Sequence, residues 1–202
     1  MNSKIKIIDY KAGNAPSVYH AVTHLGYKAD TDFAKTADDL RNVTHIILPG
    51  VGSAKATMES LDEMGMIAAL GERVLEKKTL FLGICVGLQI LFTHSEEDDT
   101  DCLGWLKGQV RKFDSNKVRV PQMGWNEVRF QHDAGIGAKN GHFYFVNSYR
   151  AFPDEAADIW GVTDYNGEFA SAINRENIYA TQFHIEKSGE AGLGLLRGFL
   201  GL

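Results

Sequence analysis

Apolar and polar residues fall in alternating blocks through the first half of the chain. Ile5 to Ile8 is a short apolar run ending at Asp9, and Gly13-Asn14 follows as a turn signal. Pro16 and Ser17 open a helical pattern to about Leu25, with Val18, Ala21, Val22 and Leu25 on one face. Tyr27 to Thr31 predicts a second strand, and Thr36 is a good N-cap for a brief helix through Leu40. His45 to Leu48 reads as a buried strand stopped by Pro49-Gly50. Ser53 or Thr57 starts a helical region that continues in pieces to Lys77 and Lys78. Thr79 to Leu82 is another buried strand breaking at Gly83, and Gly87 to Thr93 resumes a helix. Strands that are apolar throughout, separated by amphipathic helices, imply a parallel sheet covered on both faces.

The pattern changes after Gly104. Short alternating runs follow at Gln109 to Phe113, Asn126 to Phe130, His142 to Val146, Ile159 to Thr163, Phe169 to Ile173 and Ile178 to Phe183. Asp133-Ala134-Gly135 and Asn166-Gly167 separate some of them as turn signals. A last helix, roughly Gly189 to Phe199, can pack back on the sheet. The expected fold is α/β: a mostly parallel central sheet flanked by helices, with additional antiparallel strands in the second half. No repeat or long linker divides the chain, so residues 1–202 are expected to form a single domain. The acidic run Glu96-Glu97-Asp98-Asp99 reads as a solvated loop.

Composition narrows the class. The 202 residues are 44% apolar and 23% charged, which suits one globular domain and excludes intrinsic disorder. A net charge of −5 argues against nucleic-acid binding. Leu80 to Phe92 is too short to span a bilayer, and the N-terminus lacks a signal-peptide core, so no membrane association and a cytoplasmic location are expected. The 2 cysteines, Cys85 and Cys102, lack metal or disulfide spacing. The 21 glycines stand out against only 4 prolines.

Gly83-Ile84-Cys85-Val86-Gly87 follows a buried strand and precedes a helix. This is the G-x-nucleophile-x-G pattern of a nucleophile elbow, here with cysteine. The turn is sharp enough that side chains at the flanking glycine positions would collide. Cys85 would sit at a helix N-terminus, which stabilises a thiolate, and the Val86 N–H would face a developing oxyanion. An arbitrary buried cysteine is more often a core residue, but the paired glycines favour the nucleophile. Cys102 has no such context and is assigned to packing.

A thiol nucleophile needs a base, and the base needs an orienting group. His184 ends a strong strand with an acid two residues on, in Gln182-Phe183-His184-Ile185-Glu186. On a strand, His184 and Glu186 would share one face and Ile185 the other. Such a pair alone is usually incidental; beside the elbow it suggests a Cys-His-Glu triad. Leu48-Pro49-Gly50-Val51-Gly52 ends a parallel strand at the same sheet edge, and its backbone can give a second oxyanion donor, worth about 3–4 kcal/mol of barrier. It lacks a Walker ending, and Gly192-Leu193-Gly194 lacks the strand and acid of a dinucleotide site. His20 and His24 are spaced i, i+4 but have Ala21 where a zinc protease needs Glu, so no metal is expected.

The elbow continued as Leu88-Gln89, the Pro49–Gly52 loop and Gln182 to Ser188 resemble the class I (triad) glutamine amidotransferases, whose sheet is flavodoxin-like. Three further segments resemble the glutaminase subunits of imidazole glycerol phosphate synthases. They are Ile8 to Asn14, Val120-Pro121-Gln122-Met123-Gly124-Trp125-Asn126, and Phe143-Tyr144-Phe145-Val146-Asn147-Ser148-Tyr149. The resemblance implies that Cys85, His184 and Glu186 hydrolyse L-glutamine through a thioester, with no cofactor. It implies an oxyanion hole from Val86 and the Gly50, Val51 and Gly52 backbone, and glutamine contacts from Gln89, Ser148 and Tyr149. It also implies a heterodimer with a (β/α)8-barrel cyclase that receives the ammonia, contacted by Met123, Trp125, Asn126, Tyr144 and Lys187. Trp125 suits an interface anchor or ordinary core packing, and the sequence leaves this open.

Three positions depart from that family. Ile185 stands where many members have proline, and Gln122 and Asn147 where others often have His. Two alternatives carry their own marks. Subunits of anthranilate or aminodeoxychorismate synthases usually have His where this chain has Leu88 and lack Met-Gly-Trp-Asn. A silent regulatory subunit would not need an intact Cys85, His184 and Glu186.

Overall fold

In a computed structural model the protein is described at residues 4–10 and 14–202; Gly13 of the expected Gly13-Asn14 turn lies outside them. Five strands run parallel: β1 (Ile5–Ile8), β2 (Thr31–Ala34), β3 (His45–Leu48), β4 (Leu80–Ile84) and, much later, β13 (Ile178–Thr181), in the order β2-β1-β3-β4-β13. Helices α1 (Ala15–His24), α2 (Ala54–Glu63), α3 (Met66–Gly71) and α5 (Gly189–Leu200) flank them, and α4 (Val86–Gln89) follows β4 directly. β3 and β13 are buried at every residue, as a sheet covered on both faces requires.

The second half extends the same sheet with mostly antiparallel strands. They are β5 (His94–Ser95), β6 (Thr100–Asp101), β7 (Gly108–Lys112), β8 (Gln122–Phe130), β9 (Gly141–Asn147), β10 (Tyr149–Pro153), β11 (Ile159–Asp164) and β12 (Glu168–Arg175). β12 joins the two halves by pairing antiparallel with β13. The Asn166-Gly167 turn between β11 and β12 is realised with both residues at positive φ, 54° and 107°.

Local chemistry sets the starts of the elements. The Ser53 hydroxyl accepts from the Ala56 N–H at the start of α2, and Thr36 with Asp39 forms a capping box on the 3-10 turn Ala37–Leu40.

Four expectations are corrected. Tyr27 to Thr31 is not a strand: Lys28–Asp30 is a 3-10 turn, and the strand begins at Thr31. It is an edge strand with an exposed Asp32 bonded to Lys6, too polar to read as buried. The helix expected through Thr93 ends at Gln89, because the carbonyls of Ile90, Leu91 and Phe92 accept from Leu103, Leu106 and Gly104. β10 was not anticipated as a strand, and β8 starts four residues before Asn126. The acidic run is not simply solvated. Glu97 Oε2 accepts from the Ala54 N–H at 2.7 Å, and Glu96 from Lys112 N–H at 2.8 Å.

Candidate active site

β4 runs straight into Cys85, whose backbone sits at φ 55°, ψ −106°. An L-residue there is strained, and such strain persists only where the surroundings hold it. Here backbone contacts do so. Cys85 N–H donates to Thr181 O at 2.7 Å, tying the elbow to the end of β13. A Cβ on Gly83 would lie 2.4 Å from Gly87 O, and one on Gly87 2.3 Å from Leu48 O. A Cβ on Gly50 would meet Gly87 N and Val86 Cβ, each at 2.7 Å. Three glycines therefore let the elbow and the loop after β3 close on one another.

His184 arrives from the neighbouring strand. The expected strand through Glu186 is corrected: β13 stops at Thr181, and Ile185–Lys187 is a 3-10 turn begun by His184. The turn still joins acid and base, with His184 Nδ1 2.9 Å from Glu186 Oε1. Backbone bonds fix the imidazole in place. His184 N–H donates to Tyr144 O at 2.9 Å, and the Ser188 hydroxyl donates to His184 O at 2.6 Å. Ile185, the departure from proline, is buried.

Burial alone would lower the affinity of His184 for its second proton. Hydrogen bonds to Cys85 and Glu186, and their charges, outweigh that and push it up to about 10. An imidazolium beside the sulfur supplies the counter-charge that a thiolate needs.

A cavity of about 260 Å³ opens over these groups. Cys85 and His184 line it together with Val51, Gly52 and Val86 of the expected oxyanion hole, and Gln89, Ser148 and Tyr149 of the expected glutamine contacts. Gly50 is not in the wall; it packs behind, against the elbow. Glu186 lies behind His184, its side chain only 1% exposed.

Four residues escaped the sequence reading. Glu97 lines the cavity, and burial pushes its carboxyl up against the pull of the Ala54 N–H. Asn14 Nδ2 donates to Glu186 Oε1 at 3.0 Å. Tyr10 Oη donates to Pro49 O at 2.7 Å, holding the loop after β3. Gln182 Nε2 lies 3.6 Å from Cys85 Sγ. Tyr10, Asn14 and Gln182 stand inside the motif segments, but nothing in their spacing shows their contacts.

Met123 and Trp125 are 64% and 57% exposed, so Trp125 is not a core residue. Across β8 and β9 they pair with Val146 and Tyr144, and the Trp125 and Tyr144 rings meet edge-on at 6.0 Å. Asn126 lies on the other face, where Nδ2 donates to Asp164 O. Lys187 is exposed on the turn after His184. The departures Gln122 and Asn147 are register partners and both buried; Asn147 Nδ2 donates to Tyr149 O. Cys102 is partly buried, and its thiol is pushed up to about 11, first by burial and then by Asp101 and Glu97. His20 and His24 are exposed on α1. Among the described residues, no group of three or more His, Cys, Asp or Glu is placed to hold a metal, and no helix is long and apolar enough to cross a membrane.

Residues 6–200 match the family described as Glutamine amidotransferase class-I. The imidazole glycerol phosphate synthase subunit HisH of Leptospira interrogans is 41% identical, with 98% of this chain and 100% of that protein covered. The chain belongs to the class I glutamine amidotransferases, in the HisH family. The chloroplastic imidazole glycerol phosphate synthase hisHF of Arabidopsis thaliana is 42% identical over 98% of this chain, which accounts for 34% of that longer protein. The amidotransferase fold is also that of PurLQS from Thermotoga maritima, with a TM-score of 0.74 and 18% identity over 100% of this chain and 99% of the other.

Proposed function

We propose that the chain is the glutaminase subunit of an imidazole glycerol phosphate synthase, with Cys85, His184 and Glu186 as its catalytic triad. The observation that carries this is the strained Cys85 and His184 lining one cavity, with Glu186 hydrogen-bonded to His184 behind it. Membership of the HisH family supports the choice of synthase.

The Cys85 thiolate attacks the γ-carboxamide carbon of glutamine. The carbonyl oxygen takes the negative charge, facing the Val86 N–H and the backbone of Val51–Gly52. The His184 imidazolium gives its proton to the departing nitrogen, releasing ammonia and leaving a Cys85 thioester. Neutral His184 then takes a proton from water, whose oxygen attacks the thioester carbon. Collapse releases glutamate and restores the thiolate–imidazolium pair. Glu186 orients His184 throughout and balances its charge. At the other end of the substrate, Glu97 is a desolvated carboxylate suited to the α-ammonium, and Gln89, Ser148 and Tyr149 complete the polar contacts.

Released to water at neutral pH, ammonia is protonated and lost as a nucleophile, so a synthase domain must receive it by direct contact. The exposed Met123–Trp125–Tyr144 face suits that contact, and Val146 on the same face also lines the cavity. By family resemblance the partner is a (β/α)8-barrel cyclase, and the pair makes imidazole glycerol phosphate and aminoimidazole carboxamide ribotide for histidine biosynthesis. A reducing compartment such as the cytoplasm keeps Cys85 free. The test is Cys85→Ala co-purified with the cyclase. Glutamine-dependent synthesis should vanish while ammonia-dependent synthesis persists. Product formed from glutamine by that variant would refute the assignment.

A further inference from the structure

Helix α4 is a single turn, so it gives the charge on Cys85 little of the dipolar support expected from a longer helix. Gln182 offers another source. It is fully buried, 0% exposed, with its amide against the sulfur. The two ends of an amide are told apart by their partners. A backbone carbonyl only accepts, and the Gln89 amide lies 3.3 Å from Tyr149 O, so the Gln89 atom there is Nε2. The same nitrogen lies 3.0 Å from the Gln182 amide, which therefore presents Oε1 to it. That leaves the Gln182 NH2 facing Cys85 Sγ.

Resting on Cys85 as the nucleophile, we infer that Gln182 is a second hydrogen-bond donor to the Cys85 thiolate, oriented by Gln89. The opposing contact is Val146 O, 3.8 Å from the sulfur, which accepts only from the protonated thiol. Gln182 tips this balance toward the anion. The titratable neighbours of the sulfur are His184, Glu186 behind it, Tyr10, and Glu97 and Tyr149 in the cavity wall. Gln182 differs from all of them in being a neutral donor with no proton to lose. It supports the thiolate without competing with His184 for the proton sent to ammonia. The chain Tyr149–Gln89–Gln182–Cys85 also links a substrate-contacting amide to the nucleophile, and it leaves Gln89 Oε1 for the bound glutamine.

The experiment compares the full-length chain with Gln182→Met, which keeps the bulk and removes the donor. Cys85 alkylation by iodoacetamide is followed against pH, with Cys85→Ala identifying the alkylated site. The half-maximal rate should move about one pH unit upward, so that alkylation on the acid limb falls roughly tenfold. Coincident curves for the folded variant would overturn the proposal. If Gln182→Met does not fold, the wild-type chain still decides. The Gln182 side-chain amide protons should shift in NMR at the midpoint of Cys85 alkylation and lose that response in Cys85→Ala. Amide signals indifferent to the thiol would also sink the idea. Glutamine hydrolysis by Cys85→Ala would instead bring down the nucleophile assignment. An essential Cys85 with coincident curves would remove only the role of Gln182.

Discussion

Replacing Gly87 by alanine tests the contact between the elbow and the loop after β3. The added methyl would stand 2.3 Å from Leu48 O. Non-bonded carbon and oxygen settle at about 3.3 Å, so the end of β3 must retreat by about 1 Å. It is not free to do so. Leu48 is paired with Gly83 across β3 and β4, and the next carbonyl, Pro49 O, is held by Tyr10 Oη at 2.7 Å. Overpacking of this kind costs about 1–3 kcal/mol. The displaced segment leads into Val51 and Gly52, and misplacing a catalytic group by 1 Å lowers kcat by about 10²-fold. Urea unfolding and glutamate release in complex with the cyclase measure both effects. The unfolding midpoint should fall with an unchanged m-value, and kcat should fall about 100-fold. Gly194→Ala is the control. Nothing lies within 4 Å of its added methyl, so it should gain up to about 1 kcal/mol and keep its activity. Wild-type kcat and midpoint in Gly87→Ala would refute the contact argument. Equal destabilisation of both variants would show that the effect is not specific to the elbow.

Two further outcomes follow from the charges. Glu97→Gln should raise KM for glutamine by about tenfold or more with little change in kcat, since a charge-assisted hydrogen bond is worth about 1.5–3 kcal/mol. An unchanged KM would detach Glu97 from the α-ammonium. His184 is pushed up from 6.5 to about 10, so the folded state holds that proton more tightly than the unfolded chain. The resulting stability is complete below pH 6.5 and is lost as pH rises through about 10. Glu186→Gln removes part of it, so urea midpoints of variant and wild type should converge across that window; parallel curves would contradict the linkage.

The elbow was legible in the sequence because its requirement is local: two glycines around a strained residue between a strand and a helix. The parallel core was legible for a similar reason, since strands buried on both faces are apolar throughout. Edge strands carry no such mark, and β2, with Asp32 facing solvent, was misplaced. The His184–Glu186 pair was found by a spacing argument that assumed a strand, whereas a 3-10 turn brings the two together. Gln182 and Asn14 act across 97 and 172 residues of sequence, on Cys85 and Glu186 respectively, and no local pattern encodes such meetings. Glu97 was hidden by its neighbours, because one half-buried carboxylate in a run of four looks like solvent. Trp125 is more than half exposed, and no local pattern separates a surface tryptophan from a core one.

Cys85 and His184 leave the ends of two adjacent strands, β4 and β13, and the bond from Cys85 N–H to Thr181 O ties those ends together. The spacing of Cys85 and His184 thus starts from the register of a buried sheet, with only two residues between the end of β13 and His184. Such central pairings open only with the whole domain. The triad therefore has no melting temperature of its own: heat should silence the glutaminase only as the fold itself is lost.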